Sequence, residues 1–429
     1  MASNVVQTGR GNIPAASKRK QSSAAEDRDY VVERITTTAR TETLSFFENR
    51  VFSIILTGSL ARDEGTIVSS NGEQQIAGDA EFLAIFSDGR PLPDRELLDR
   101  LCGSIEKELL SRFSIRCSPV HVSAGHPSYL NKMSPHIFGY ELRTCGRVIC
   151  GDPGILDLIP KFSSCDIPDE DGWRLLSNRM VEHLEIAADL PAGEYDVPAR
   201  LAYHTIKMLL DMVTSLSLFL GVYEPSYRLR QSRLETILPM ISRPLAPLPV
   251  DCNAFLQDSA CALQKKLESK SAQQISWDFW ARMVFYAAAL WRWELLELGS
   301  ISSFSNAVEV VSKWNRQRPL VRRLRCWLPL LRVDNWFRSV ANSPRWLSMF
   351  AEGSPRDHTY LAAYQLFSKL PAVSIRQIGD SVEDAELEHI ARFLPIRSYQ
   401  PKQNSWGAWR HLADDIARNF HLFVENTTT

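Results

Sequence analysis

The first stretch with a clear structural pattern is "RDYVVERITTTARTETLSFFENR", where apolar residues recur at helical spacing among acids and bases. "VFSIILTGS" follows, a β-branched apolar run that ends on a turn signal and predicts a strand. "LARDEG" has a short helical pattern, whereas "TIVSSNGEQQIAG" is polar and predicts a loop. "DAEFLAIF" alternates before turning apolar, as a strand with one polar face would. "DRELLDRLCGSIEKELLSRF" predicts an amphipathic helix and "SIRCSPVHVSAG" a third strand. Helix, strand, turn, strand, helix, strand describes a sheet domain.

Beyond "GDPGILDLIPKF" the texture changes. "GWRLLSNRMVEHLEIAADL", "PARLAYHTIKMLLDMVTSLSLFLG", "CNAFLQDSACALQKKLESK" and "SWDFWARMVFYAAALWRWELLELG" all carry helical spacing. The predicted class is therefore α+β, a small mixed-sheet domain followed by an all-α domain. Residues 1–28 are rich in Ser, Ala, Gln and charge and predict a disordered tail. The α/β domain is expected over 29–160, a helical domain over 161–350, and a C-terminal helical extension over 351–429, set off by "SMFAEGSPRDH".

Composition narrows the function classes. Lys and Arg total 49 against 50 for Asp and Glu, so no overall charge draws the chain to nucleic acid or membrane. "KWNRQRPLVRRLRCWLPLLR" contains no acid, but a solvated or internally paired helix face is favoured there over nucleic-acid binding. Eight scattered cysteines without a CxxC pair fit a reducing compartment, and a cytoplasmic location is expected. The most apolar segment, Met208 to Val222, is interrupted by Asp211 and falls short of the ~20 residues a bilayer needs, so no membrane is expected. All eleven tryptophans lie in the helical half, where packing explains them. No serine-hydrolase elbow, P-loop lysine or dinucleotide glycine fingerprint is present.

The candidate chemistry lies in the first half. Asp79 and Glu81, two apart on a predicted strand, point the same way. At ~7 Å and an effective dielectric of about 20 they repel by roughly 2 kcal/mol, which a divalent cation more than reverses. Magnesium suits them, because it takes oxygen ligands and completes its octahedron with water and substrate phosphate. Gly58 lets a bulky anion approach the backbone, Ser59 adds a hydroxyl, and a helix starting at Leu60-Ala61 would aim NH groups at it.

"LTGSLARDEGT" with "GDAEFLAIF" resembles the signature of the DNA polymerase β-like nucleotidyltransferase superfamily, nearest in style to its minimal and aminoglycoside-type members. In that signature a hydrophobic run, Gly-Ser and a spacer precede Asp-x-Asp/Glu on the next strand. The spacer between Ser59 and Asp79 is long for the pattern, and an extra loop at 66–77 would account for it. The resemblance implies transfer of a nucleoside monophosphate from a nucleoside triphosphate, ATP by default, to an acceptor hydroxyl, with Mg2+ on Asp79 and Glu81. The acceptor is not specified by the sequence. Members with a helical C-terminal domain place a helix lysine, then a serine or tyrosine, over the triphosphate. Lys207, Ser226 and Tyr227 stand at the matching positions, with Arg228 beside them.

The departure from the pattern is the third carboxylate that such enzymes carry on a later strand. Its place in "SIRCSPVHVSAG" is taken by His121, which can act as a base but is a poor magnesium ligand. Glu141, expected on the strand after it, is the alternative. The rival reading is a catalytically silent member that binds a nucleotide or partner as a regulatory module.

Overall fold

The computed structural model describes residues 16–70, 73–117, 119–190, 196–240, 248–267, 274–301, 307–316, 318–319, 321, 325–328, 344–370, 383–398 and 405–425. The fold is mixed α+β, with small mixed sheets and a helical region. The chain forms two compact units. The first comprises residues 1–132 and 146–158, the second residues 133–145 and 159–429.

In the first unit, helix α1 (Ala16–Phe47) leads into β1 (Val51–Thr57). Part of the segment expected to be a disordered tail is thus helical, while residues 1–15 lie outside the described chain. After a four-residue helical turn, α2 (Gly58–Ala61), come β2 (Ile67–Ser70), β3 (Glu73–Ile76) and β4 (Ala80–Phe86). The segment expected to be a loop is therefore a hairpin. β2 and β3 pair antiparallel on either side of the dipeptide Asn71-Gly72, which lies outside the described residues.

Helix α3 (Arg95–Phe113) buries Leu101, Ile105 and Leu109, four apart on one face. Asp94 caps its first turn by accepting from Leu97 N at 2.8 Å, and Ser114 ends it in the left-handed conformation. What was expected to be one strand after α3 is two, β5 (Ile115–Cys117) and β6 (Val120–Gly125), in different sheets. Pro119 stands between them and cannot donate to a ladder. After the short α4 (Pro127–Asn131), the unit gains its last strand, β7 (Arg147–Gly151).

The main sheet has the order β6-β4-β1-β7, and the smaller one β2-β3-β5. β1 runs antiparallel to β4 and β7, while β4 and β6 are parallel. Alternation gives the main sheet two faces. Ile54 and Leu56 of β1, Ala80, Phe82, Ala84 and Phe86 of β4, and Val120 and Val122 of β6 pack with Val31, Ile35 and Ala39 of α1 and with the buried stripe of α3. The other face carries Thr57, Glu81 and His121 at one end, in register across three neighbouring strands.

The second unit is helical. Its elements include α5 (Ile137–Cys145), α6 (Asp169–Ala188), α7 (Ala199–Phe219), α8 (Tyr227–Ile237), α9 (Cys252–Leu267) and α10 (Trp277–Gly299). Further along come α11 (Ala307–Arg316), α12 (Pro344–Glu352), α13 (Pro355–Phe367), α14 (Asp384–Ala391) and α15 (Ser405–Phe420). Trp173 of α6 is the aromatic centre, its ring 5.4 Å from Trp291, 5.1 Å from Trp314 and 5.4 Å from Tyr360. The tryptophans described here pack, as their clustering in this half suggested. The expected C-terminal extension is integral to this core, since Tyr360, Leu361, Leu387, Trp409 and Leu412 join the same buried cluster as α6 and α7. Among the described residues no helix is long and apolar enough to cross a membrane.

Candidate functional site

In the first unit the predicted turn and acids meet at one end of the main sheet. Gly58 follows Thr57, the last residue of β1, and Asp79 immediately precedes Ala80, the first of β4. Because β1 and β4 are antiparallel neighbours with Thr57 opposite Glu81, the Gly58-Ser59 bend stands next to Glu81. The contact is close. A Cβ added at Gly58 would collide with Glu81 Oε2, and Gly58 has φ +68°, a left-handed region that glycine adopts without steric cost. Thr57 Oγ1 donates to the Glu81 carbonyl at 3.4 Å.

The bend is closed by the Glu64 amide donating to Ser59 O at 2.8 Å and the Asp63 amide donating to Leu60 O at 3.3 Å. Arg62 and Glu64, both almost fully buried, pair at 3.4 Å just behind it. The helix expected to aim its dipole from Leu60-Ala61 is a single turn, too short to sum much of a dipole.

Asp79 and Glu81 are half-buried. Cys117 lies near enough to Asp79 for its carboxylate to add to the effects of burial and Glu106, which together push that thiol up to about 12. His121 is exposed and lies in register with Glu81 on the parallel neighbour β6. Among the described residues no group of three or more His, Cys, Asp and Glu side chains is placed to hold a metal. The two carboxylates stand at one end of the main sheet and are oxygen donors, the kind magnesium takes alongside water and phosphate. Asp79 and Glu81 would hold it, and His121 would not.

Glu141 is not on a strand. It lies on α5, in the second unit, where its carboxylate accepts from the Tyr223 hydroxyl at 2.6 Å and pairs with the buried Arg230. The strand expected to carry it, β7, begins at Arg147.

Lys207 lies on α7, half-buried, one turn from His204. Burial and the nearby charges of Arg179 and Lys207 push the His204 imidazole down to about 3, so it stays neutral. On the same helix, Asp211 is buried against Arg179 at 2.7 Å. Thr214 donates back to Leu210 O at 2.8 Å. Arg179 also pairs with Glu182, and Asn178 accepts from Tyr360, so Asn178 and Arg179 serve packing.

Ser226 is the N-cap of α8, accepting from Leu229 N at 3.3 Å, and Tyr227 is buried. The Tyr227 ring is faced by Arg230 at 5.0 Å and by the buried Lys266 at 5.8 Å, the latter also 5.8 Å from the Tyr203 ring. Arg228 is exposed. From the basic stretch, the described Arg318 pairs with Asp357 at 3.5 Å, bonds to Glu170 at 2.5 Å and lies 3.6 Å over the Trp314 ring. Its charge is thus used internally; residues 317, 320, 322–324 and 329–332 of that stretch lie outside the described chain.

Comparison with protein-family models, with curated proteins and with solved structures finds no match to this chain. The residue that sequence reasoning missed altogether is Arg230. Its only signal was a basic residue four after Ser226, which is common on a helix.

Proposed function

We propose that this protein is a nucleotidyltransferase that moves a nucleoside monophosphate from a nucleoside triphosphate to an acceptor hydroxyl with magnesium. The observation that carries the reading is the alignment of Thr57, Glu81 and His121 across β1, β4 and β6, with the Gly58 bend fitted against the Glu81 carboxylate. It accounts for both halves of the sequence signature with one piece of geometry. Magnesium, when bound by Asp79 and Glu81, neutralises phosphate charge. Gly58 admits the polyphosphate to the backbone and Ser59 donates its hydroxyl to it. His121 takes the proton from the acceptor hydroxyl. The resemblance also implies nucleotide contacts from Lys207, Ser226 and Tyr227, which stand on α7 and at the start of α8.

The test is incubation of the protein with each labelled nucleoside triphosphate, magnesium and a cell extract, followed by identification of the labelled product. Asp79→Asn and Glu81→Gln are each expected to reduce labelling at least about a hundredfold, the size of effect seen when a charge-stabilising group is removed from a reaction site. Labelling that survives both changes refutes the mechanism.

A second reading is favoured by His121 itself, which occupies the place beside Glu81 where the resemblance implies an acid. A silent nucleotide-binding module would show saturable calorimetric binding of magnesium and nucleotide without pyrophosphate release from any acceptor.

A further inference from the structure

In the main sheet of the first unit, β6 is an edge strand, paired with β4 alone. A sheet edge leaves a row of amides and carbonyls without strand partners, ready to take up another chain. On β6 that row can be read from the register. The Ala80 amide donates to the Pro119 carbonyl at 3.2 Å, and Ala80 stands opposite Val120. Bonded groups alternate along a parallel pair, so His121 and Ser123 turn their amides to β4, whereas Val120 and Val122 turn theirs outward.

Helix α3 supplies what the outward amides lack. Glu106 Oε1 accepts from the Val120 amide at 2.8 Å. One turn earlier, Cys102 lies by Val122: burial pushes its thiol up, and the Val122 amide acts against that, as a donor facing sulfur does. One turn earlier again, Leu98 packs against the same core as Ala124. The fit comes from two repeats that nearly coincide. Four residues of helix rise about 6 Å and two residues of strand about 6.6 Å, so residues 106, 102 and 98 run along α3 in step with residues 120, 122 and 124 of β6. Pro119, just before the strand, has no amide to offer.

We propose that Glu106, with Cys102 beside it, latches the outer edge of β6 and keeps the main sheet from adding a strand, the strand excluded being β6 of a second copy of this chain. A second copy is present wherever the chain is, and its β6 has the same length and the same outward row. Two such edges laid antiparallel about a two-fold axis exchange amides and carbonyls symmetrically. The latch is independent of the nucleotidyltransferase reading, since it uses neither acid of the proposed site.

The test uses the full chain, with amide-resolved hydrogen exchange beside sedimentation equilibrium. In the wild type the Val120 and Val122 amides are expected to exchange as slowly as those of His121 and Ser123, although no strand pairs them. Glu106→Ala is expected to speed exchange at Val120 at least about tenfold while the amides of β1 keep their rates, the loss of one hydrogen bond to a carboxylate. Glu106→Gln, which keeps an acceptor oxygen in place, is expected to restore most of the protection. Glu106→Ala combined with Cys102→Val leaves neither amide an acceptor. That chain is expected to self-associate, its sedimenting mass rising with concentration more steeply than the wild type's and both amides regaining protection as it does. A wild-type Val120 amide that exchanges as freely as one on an open strand overturns the latch, whether or not the variants fold. A folded double variant whose mass follows the wild type's at every concentration overturns the exclusion of a second copy.

Discussion

At Gly58 the backbone sits at φ +68° and the Glu81 carboxylate occupies the space a methyl group would need. Gly58→Ala is therefore expected to cost about 1–2 kcal/mol from the left-handed conformation alone, read as a lower urea midpoint. It also displaces Glu81, so nucleotide transfer is expected to fall at least about tenfold, beyond what the remaining folded fraction explains. Full transfer by that variant would show that the carboxylate does not need its present seat. Asp79 and Glu81 were legible in the sequence because a strand repeats every two residues and their neighbours Ala80 and Phe82 are apolar. Glu141 was not, because "IFGYELRTCGRVICG" holds a nine-residue helix and a strand in so few positions that neither period completes before the other begins.

Helix α8 begins with Ser226 accepting from Leu229 N, so the hydroxyl that the resemblance assigns to nucleotide also supports the helix. The two roles separate by substitution. Ser226→Ala is expected to cost about 1 kcal/mol of stability, whereas Ser226→Asp keeps the cap but sets a negative charge where the resemblance would put triphosphate. The aspartate variant is thus expected to melt near the wild-type temperature yet bind nucleotide at least about tenfold more weakly, by calorimetry. Equal binding would restrict Ser226 to capping. The long helices α3, α6, α7, α9 and α10 were read from periodicity because each repeats its apolar stripe over several turns. The β2–β3 hairpin escaped because its strands are four residues each and largely polar, with Ile67 and Ile76 joining the core. Asn-Gly between two short runs was the signal available.

Two buried groups in the helical unit pull its stability in opposite directions as pH changes. His183 Nε2 accepts from the Trp280 indole at 2.8 Å, and burial together with Arg179 pushes the imidazole down to about 3. Below about 6.5 the unfolded chain takes up a proton that the native state refuses, so stability falls as pH drops from there towards 3. Glu294 is fully buried with Ser215 donating to it at 2.6 Å, and burial pushes it up to about 8, only partly offset by that bond and reinforced by Asp169. Here the unfolded chain loses its proton first, so stability falls as pH rises from about 4.5 towards 8. Glu294→Gln is expected to remove that second decline in urea titrations between pH 5 and 9; an unchanged slope would contradict the burial argument. The chain also enters the helical unit at Met133, leaves it after Cys145, and returns at Ile159. During synthesis, Glu141 emerges from the ribosome 89 residues ahead of Arg230, the cation that balances it. A nascent chain paused between them holds that acid without its counter-ion, so this helix docks late, and fragments cut near residue 160 sever a partnership that neither piece can remake alone.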